Sequence, residues 1–424
     1  MKNKIKSGDS MLAILFSLTG NARACVCTEP LWSIPFFLFN PYFTLYMYNL
    51  GVKDAEIGVL LSAGFMLQLV FAFVSGALSD KFGRRKTTFV ADFVSWSIPC
   101  LIWAFAQDIK WFAAAAILNS ILQVSVNSWQ CLLVEDTDDK LIVSIYNWIY
   151  ICGQLVVFFA PVSGLLIARH GLIPVMRGLF IFSTVLMTFK FVLFYILSVE
   201  TTHGKKRIEE TKNESIPRLL FGYKDVFLRV IKDRAAVRVC FILTLSWAAS
   251  MTAGNFFSLY ATQNLGLAEM YISWFPIVRA AVMLFLFFAA QKWLSKKSMR
   301  SVMLAALFIF AAGHALLISV PALAISALSL LMIFTAVDAV AFALFMPRRD
   351  AMLLLDVEPE ERARILAIIF VVSLGAMSPF GTIAGFISSI DRRLPFAMNL
   401  VLFAAMAVIV ATMKRNDQTA EAAD

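Results

Sequence analysis

The sequence predicts an all-α polytopic membrane protein with twelve transmembrane helices. Three observations point there. Of its 424 residues, 60% are hydrophobic and 15% are charged. Soluble domains run nearer 45–50% and 25%, so a water-soluble globule of this composition has too little polar surface to clothe itself. Apolar runs of roughly 18–25 residues recur along the chain, the length that crosses a bilayer as a helix. Lys and Arg gather in alternate connections, as expected when cytoplasmic loops retain positive charge. A secreted disulfide scaffold, a disordered tail and a nucleic-acid module are excluded as readings of the whole chain. The net charge of +9 is therefore read by position, with no nucleic-acid partner expected.

The elements follow in order. Lys2, Lys4 and Lys6 precede a short apolar run, Met11 to Leu18, and Ala22-Arg23-Ala24 has the look of a signal-peptide cleavage site. The Arg inside that site and the spanning helix after it favour an uncleaved, cytoplasmic amphipathic lead-in over residues 1–30. Spans are expected at 31–50, 57–78, 87–106, 111–134, 144–168 and 178–199, then at 237–262, 270–292, 302–319, 322–346, 364–390 and 396–413. With both termini inside the plasma membrane, inside segments hold 29 of the 37 Lys and Arg and outside loops hold 6; Lys190 and Arg279 fall within spans. That bias sets the orientation. The expected organisation is the lead-in, a six-helix bundle over 31–199, a cytoplasmic linker over 200–236, a second bundle over 237–413 and a tail over 414–424. The linker carries His203-Gly204-Lys205-Lys206-Arg207 and a mildly amphipathic stretch from Leu219 to Ile231. It reads as a tether whose basic residues touch anionic lipid headgroups, with a regulatory contact as the alternative.

The halves look alike. Asn49-Leu50-Gly51 after span 1 is matched by Asn264-Leu265-Gly266 after span 7, 215 residues later, and each follows a Leu-Tyr pair (Leu45-Tyr46, Leu259-Tyr260). Span 5 carries Pro161 and Gly164, and span 11 carries Pro379 and Gly381. In register, these matches predict a duplicated six-helix unit, the construction by which many transporters rock one half against the other.

The turn after span 2 reads Gly76-Ala-Leu-Ser-Asp80-Lys81-Phe82-Gly83-Arg84-Arg85-Lys86. It resembles the signature of the major facilitator superfamily (MFS), and the resemblance extends over the whole chain from about residue 25 to 413. It implies two pseudo-symmetric six-helix bundles and a secondary transporter that moves a small solute by alternating access. It also implies that Gly76, Asp80, Gly83, Arg84 and Arg85 latch the cytoplasmic ends of the two halves. The chemistry of the residues agrees: Gly83 permits a positive-φ turn, Gly76 permits close helix approach, and Asp80 suits a helix N-terminus. A plain positive-inside turn is the bland alternative. In span 5, Ala160-Pro161-Val162-Ser163-Gly164 is similar to the antiporter motif of drug exporters but departs from it at Ala160 and Ser163; a Pro-kinked packing helix explains it equally well. Span 4 lacks the mid-helix Arg of many proton-coupled exporters.

Polar residues inside spans are functional candidates by default. Asn119, Gln123, Asn127 and Gln130 share one face of span 4, and Asn147, Tyr150 and Gln154 share one face of span 5. The two stripes either line a polar cavity or glue helices together. By the resemblance, spans 1, 4, 7 and 10 line the cavity, which makes Asn40, Tyr42 and Tyr46 candidates for solute contact and Trp247 and Asn255 their counterparts. Arg279 sits deep in span 8, and Asp338 in span 10 is its expected partner. The pair is a candidate for solute contact and for ion coupling, or else a structural ion pair. Asp92 and Lys190 are expected near the cytoplasmic face, where snorkelling or loop contact serves them. His314 in span 9 is the one histidine expected within the membrane.

The six cysteines are scattered apart from Cys25-x-Cys27, so inert thiols are expected, with neither a metal site nor a cofactor. No phosphate-binding P-loop or hydrolase constellation appears, so the chain is not read as an enzyme. The expected partners are a small-molecule solute, membrane lipids and a coupling ion such as the proton, with a monomer sufficient. Uptake or exchange of a polar solute and efflux of amphipathic compounds both fit. A lipid flippase on the same scaffold is the alternative from another class.

Overall fold

The computed structural model describes residues 18–137, 139–216, 234–289, 297–321, 326–355 and 362–412. Among them, eleven helices are long and apolar enough to cross a membrane. A twelfth helical run precedes them, Gly20–Phe39 continued through a tight turn at Asn40–Tyr42 into Phe43–Asn49. The run is more polar than the rest, with Asn21, Arg23, Glu29 and Asn40 in it. It starts eleven residues before the expected span 1, so one continuous helix runs from residue 20 into that span; residues 1–17 lie outside the described residues. The Leu219–Ile231 stretch also lies outside them.

Spans 2 to 6 are Asp54–Phe82, Arg84–Phe105, Ile109–Val134, residues 139–170 and Leu172–Leu197. Spans 7 to 12 are residues 234–264, Trp274–Ala289, Met299–Ser319, Ala327–Leu355, residues 362–390 and Leu394–Ala411. Between the halves lies a short helix, Thr202–Thr211, whose N-terminus is capped by the Thr201 side chain accepting from the Gly204 N–H.

Prolines explain where the helices break. A proline ring clashes with the carbonyl four residues earlier and removes one backbone bond. Pro41 lies in the turn at Asn40–Tyr42, Pro161 follows the tight turn at Val157–Phe159, and Pro379 restarts span 11 after Met377. Pro99 follows a widened π-helical turn at Phe93–Ser97 in span 3. There the Ser95 carbonyl accepts from Asn119 Nδ2 at 2.7 Å, a side-chain substitute for a helical bond.

The matched tripeptides of the two halves fold alike. Gly51 ends span 1 at φ +87° and Gly266 follows span 7 at φ +69°, the left-handed geometry in which glycine terminates helices.

Contacts divide the chain into two units: residues 1–40, 66–159 and 173–222 form the first, and residues 41–65, 160–172 and 223–424 form the second. The second unit thus holds one end of spans 1, 2 and 5 together with spans 7 to 12.

Candidate functional site

In the first unit, the turn after span 2 is built as its sequence suggests, with different partners. Gly83 adopts φ +87° and reverses the chain between spans 2 and 3. The carboxylate at the N-terminus of span 3 is Glu200, not Asp80. Its Oε1 and Oε2 accept from the Arg84 and Arg85 N–H groups, each at 3.0 Å, the favoured place for an anion. Asp80 lies on the last turn of span 2. It takes Arg84 Nη1 at 2.9 Å and Arg207 Nη2, from the linker helix, at 2.7 Å. Arg84 also reaches Glu135 at 3.1 Å, and Glu135 accepts from Thr201. Arg85 donates to the Tyr195 carbonyl at 2.6 Å and lies over the Tyr195 ring. Hydrogen bonds to Asp80 and Glu210, opposed by partial burial, hold the Arg207 pKa above its ordinary value. Gly76 is half-buried in span 2.

The amide stripe of span 4 meets neighbouring helices of the same unit. Besides Asn119, Gln123 Nε2 donates to Gln68 Oε1 at 3.2 Å and Asn127 Nδ2 to Ser75 Oγ at 2.9 Å. Gln130 is exposed and Gln154 half-buried. The side chains of Asn147 and Tyr150 lie outside the described residues.

Asp92 and Lys190 do not snorkel. They are 7% and 4% exposed and face each other, with Lys190 Nζ 3.9 Å from Asp92 Oδ2. Spans 3 and 6 enclose both groups, so neither reaches the headgroup level. Ser125 donates to Asp92 Oδ1 at 2.5 Å. Glu29, on span 1, joins them: it hydrogen-bonds to Ser33 and lies within electrostatic reach of Lys190 and Asp92. Sequence reasoning missed it because the expected span 1 begins at residue 31, two residues past Glu29. Its signal was the Ala22, Cys25, Val26 pattern one to two turns upstream, which extends the apolar face of span 1 back past Glu29.

In the second unit, Arg279 and Asp338 meet as the sequence proposed. Arg279 Nη1 lies 2.5 Å from Asp338 Oδ2, and its guanidinium stacks 4.4 Å from the Phe342 ring centroid. The Asp338 side chain is 9% exposed while that of Arg279 stays 36% exposed. Of the other candidates here, Tyr42 and Tyr46 are fully buried. Tyr42 Oη accepts from the Ser273 N–H at 3.2 Å, beside Gly164, so it braces helices. Trp247 is half-buried and stacks on Phe370; Asn255 is half-buried and donates to the Met251 carbonyl of its own helix. Asn40, in the first unit, is exposed. His314 is 1% exposed, bonds to the Phe310 carbonyl and Asn399, and is ringed by Phe334, Phe396 and Phe403.

One more cluster in this unit was not foreseen. Asp54, at the start of span 2, accepts from Arg392 Nε at 2.9 Å and from Ser388 Oγ at 2.7 Å, and Arg392 lies over the Tyr48 ring. Burial opposes the charge on Arg392, but its bonds to Asp54 and Tyr48 outweigh that and raise its pKa. One turn further on, Gly58 packs on Gly381 and Gly385 of span 11: a Cβ at Gly58 would stand 2.7 Å from the Gly385 Cα. Both Asp54 and Arg392 lie outside the expected spans, in connections where the sequence offered no partner for either.

These features define a multi-pass helical membrane protein with ionisable pairs enclosed inside its spans. The chain belongs to the Major Facilitator Superfamily, whose family model matches residues 32–317. A relative in Bacillus subtilis (strain 168), an uncharacterized MFS-type transporter named YqjV, is 26% identical over 127 residues, covering 30% of this chain and 31% of the relative. The match thus spans under a third of that relative's length. Solved structures of the same fold include the nucleoside transporter NupG, with TM-score 0.69 and 15% identity over 93% of this chain and 100% of that one. A POT family transporter in complex with 5-aminolevulinic acid has TM-score 0.69 and 12% identity over 93% and 96%. The human organic anion transporter MFSD10 has TM-score 0.65 and 15% identity over 95% and 100%.

Proposed function

We propose that the chain carries a small polar solute across the plasma membrane by alternating access, driven by an ion gradient, with its two six-helix halves as the moving parts and both termini cytoplasmic. The observation that carries this reading is Arg279. Its side chain is 36% exposed although it sits within span 8 and already holds Asp338. A guanidinium at membrane depth that keeps accessible surface is accommodated by a water-filled or solute-filled space. Its planar guanidinium suits a carboxylate, phosphate or carbonyl oxygen on the solute, and Asp338 answers when the solute competes for it. The solutes named for the structural neighbours, a nucleoside, peptides and organic anions, are all rich in such oxygens. The 29-to-6 distribution of Lys and Arg supports the orientation.

The test is ligand-induced thermal stabilisation of the purified protein, followed by flux into proteoliposomes. The panel holds nucleosides, short peptides, small organic anions, sugars and lipophilic cations. A solute at 100 times its Kd stabilises the folded state by about 2.7 kcal/mol. A polar solute that stabilises the wild type but not Arg279→Gln supports the reading. Stabilisation by lipophilic cations alone overturns it in favour of efflux, and a polar solute bound equally well by Arg279→Gln removes Arg279 from the site.

A further inference from the structure

We propose that Glu29, Asp92 and Lys190 form a proton-binding site inside the N-terminal half, where one proton is shared between two carboxylates facing one ammonium. The inference rests on the transport reading for its purpose, since a bound proton is what an ion gradient delivers. It rests on geometry for its existence.

The three groups come from three helices and share one level. Glu29 lies nine residues into the first helix, Asp92 eight residues into span 3 and Lys190 seven residues before the end of span 6. At a rise of 1.5 Å per residue these positions are about 13, 12 and 10 Å from helix ends that fall on the same side of the membrane. The level is too deep for headgroup contact and is enclosed: Asp92 and Lys190 are nearly inaccessible and Glu29 is half-buried.

The charges do not balance. With all three ionised, two carboxylates face a single ammonium, and burial leaves the excess negative charge poorly screened. Lys190 stands 3.9 Å from Asp92 Oδ2, the long limit of an ion pair, with its ammonium between the Asp92 carboxylate and the rings of Phe191 and Phe194. It is also within electrostatic reach of Glu29. Ser33 and Ser125 each offer a hydroxyl, one to Glu29 and one to Asp92. A hydroxyl donates to a carboxylate and accepts from a carboxylic acid, so both protonation states are satisfied. One proton brings the cluster to neutrality, and the two carboxyls then titrate as a coupled pair.

The other titratable groups within reach of Glu29 are Cys25 on its own helix and Cys152 on span 5, with Tyr146 on span 5 next to Cys25. Thiols and phenols ordinarily titrate near 8.5 and 10, so near neutral pH the carboxylates are the groups that exchange the proton. The π-helical turn Phe93–Ser97 begins directly after Asp92, and such turns recur at functional sites. It carries Trp96, whose ring meets Trp32, three residues after Glu29, edge-on at 5.1 Å.

The experiment is a pH titration of the full-length protein in proteoliposomes by difference infrared spectroscopy, reading the carbonyl stretch of a protonated, buried carboxylic acid. The wild type is expected to show this band in neutral buffer and lose it as pH rises. Glu29→Gln, which leaves one carboxylate with one ammonium, is expected to lose the band. Lys190→Gln removes the cation that favours ionisation, so its band is expected to persist to a pH higher by about one unit or more; a purely structural lysine would leave the midpoint unmoved. Asp92→Asn provides a second removal should Glu29→Gln fail to fold. A wild type without the band overturns the proposal, as does a band that survives unchanged in the folded carboxylate variants. No solute enters this titration. A missing band therefore leaves the transport reading standing, and absent flux with an intact band overturns transport alone.

Discussion

Span 2 is held in opposite ways at its two ends. At Asp54 the carboxylate is buried, and its arginine faces an open cavity. The carboxylate is 4% exposed, Arg392 is 19% exposed, and the next turn brings the Gly58 backbone against Gly381 and Gly385. At Asp80 the contact is wetter. Asp80 is 23% exposed and Arg207 is 32% exposed, and the partner is a ten-residue helix from the linker. Both ends use an Asp–Arg pair, yet the physics differs. A buried carboxylate is costly to remove because the donors it satisfied lose their acceptor. A half-exposed pair is replaced by water at little loss. Identical chemistry therefore makes a clamp at one end and a releasable catch at the other.

The sharpest way to break this comparison is Asp54→Asn. It removes the carboxylate that Arg392 and Ser388 both bond, so a loss of about 2–3 kcal/mol is expected, read from thermal unfolding in detergent. Asp54→Asn combined with Arg392→Gln should recover most of that loss; no recovery would mean that the pair is not the clamp. Gly385→Val follows in size. Its branched side chain would meet the backbone of span 2, where a Cβ alone already lies 2.6 Å from the Asp54 carbonyl oxygen, so about 1–3 kcal/mol of overpacking is expected. Asp80→Asn should still insert, but it leaves the buried Arg84 with Glu135 as its remaining carboxylate, so about 1–2 kcal/mol of loss is expected, while flux falls; unchanged flux in a normally inserted variant would reduce the motif to a structural turn. Arg207→Ala is the smallest. Its effect should stay below about 1 kcal/mol and vanish at high salt, and an effect as salt-independent as that of Asp54→Asn would erase the difference between the two ends.

Much of the fold was legible because the bilayer reads sequence locally. An apolar run long enough to cross must close its own backbone hydrogen bonds as a helix, so the spans appear within a few residues of the stretches that hydropathy marks. At span 1 the helix begins before the apolar run, because Arg23 and Glu29 lower the hydropathy there; Glu29 is half-buried in the fold while Arg23 stays exposed. The turn residues were legible for a similar reason: Gly51, Gly83 and Gly266 each take the positive φ that other residues resist.

The candidate site was legible in kind and much less so in partners. Arg279 and Asp338 were paired from sequence because few charges lie in the C-terminal spans, and they do meet. Tyr42 shows the limit. Its place in span 1, which the resemblance puts at the cavity, made it a candidate for solute contact, and its hydroxyl accepts from the Ser273 N–H, 231 residues away. The amide stripe of span 4 was visible as a stripe, while its acceptors Gln68, Ser75 and the Ser95 carbonyl come from other helices.

The sequence by itself determined the class of protein, the helical spans, the glycine turns and the signature at Asp80 to Arg85, because each depends on residues near one another in the chain and on the uniform demand of a lipid solvent. Only the tertiary structure decided which charge meets which. Glu200, not Asp80, holds the N-terminus of span 3; Arg207 answers Asp80; Arg392 answers Asp54; Lys190 stands between Phe rings and Asp92 with Glu29 nearby. A charged side chain chooses its partner by distance and burial in three dimensions, and neither is written in the spacing of residues along one helix.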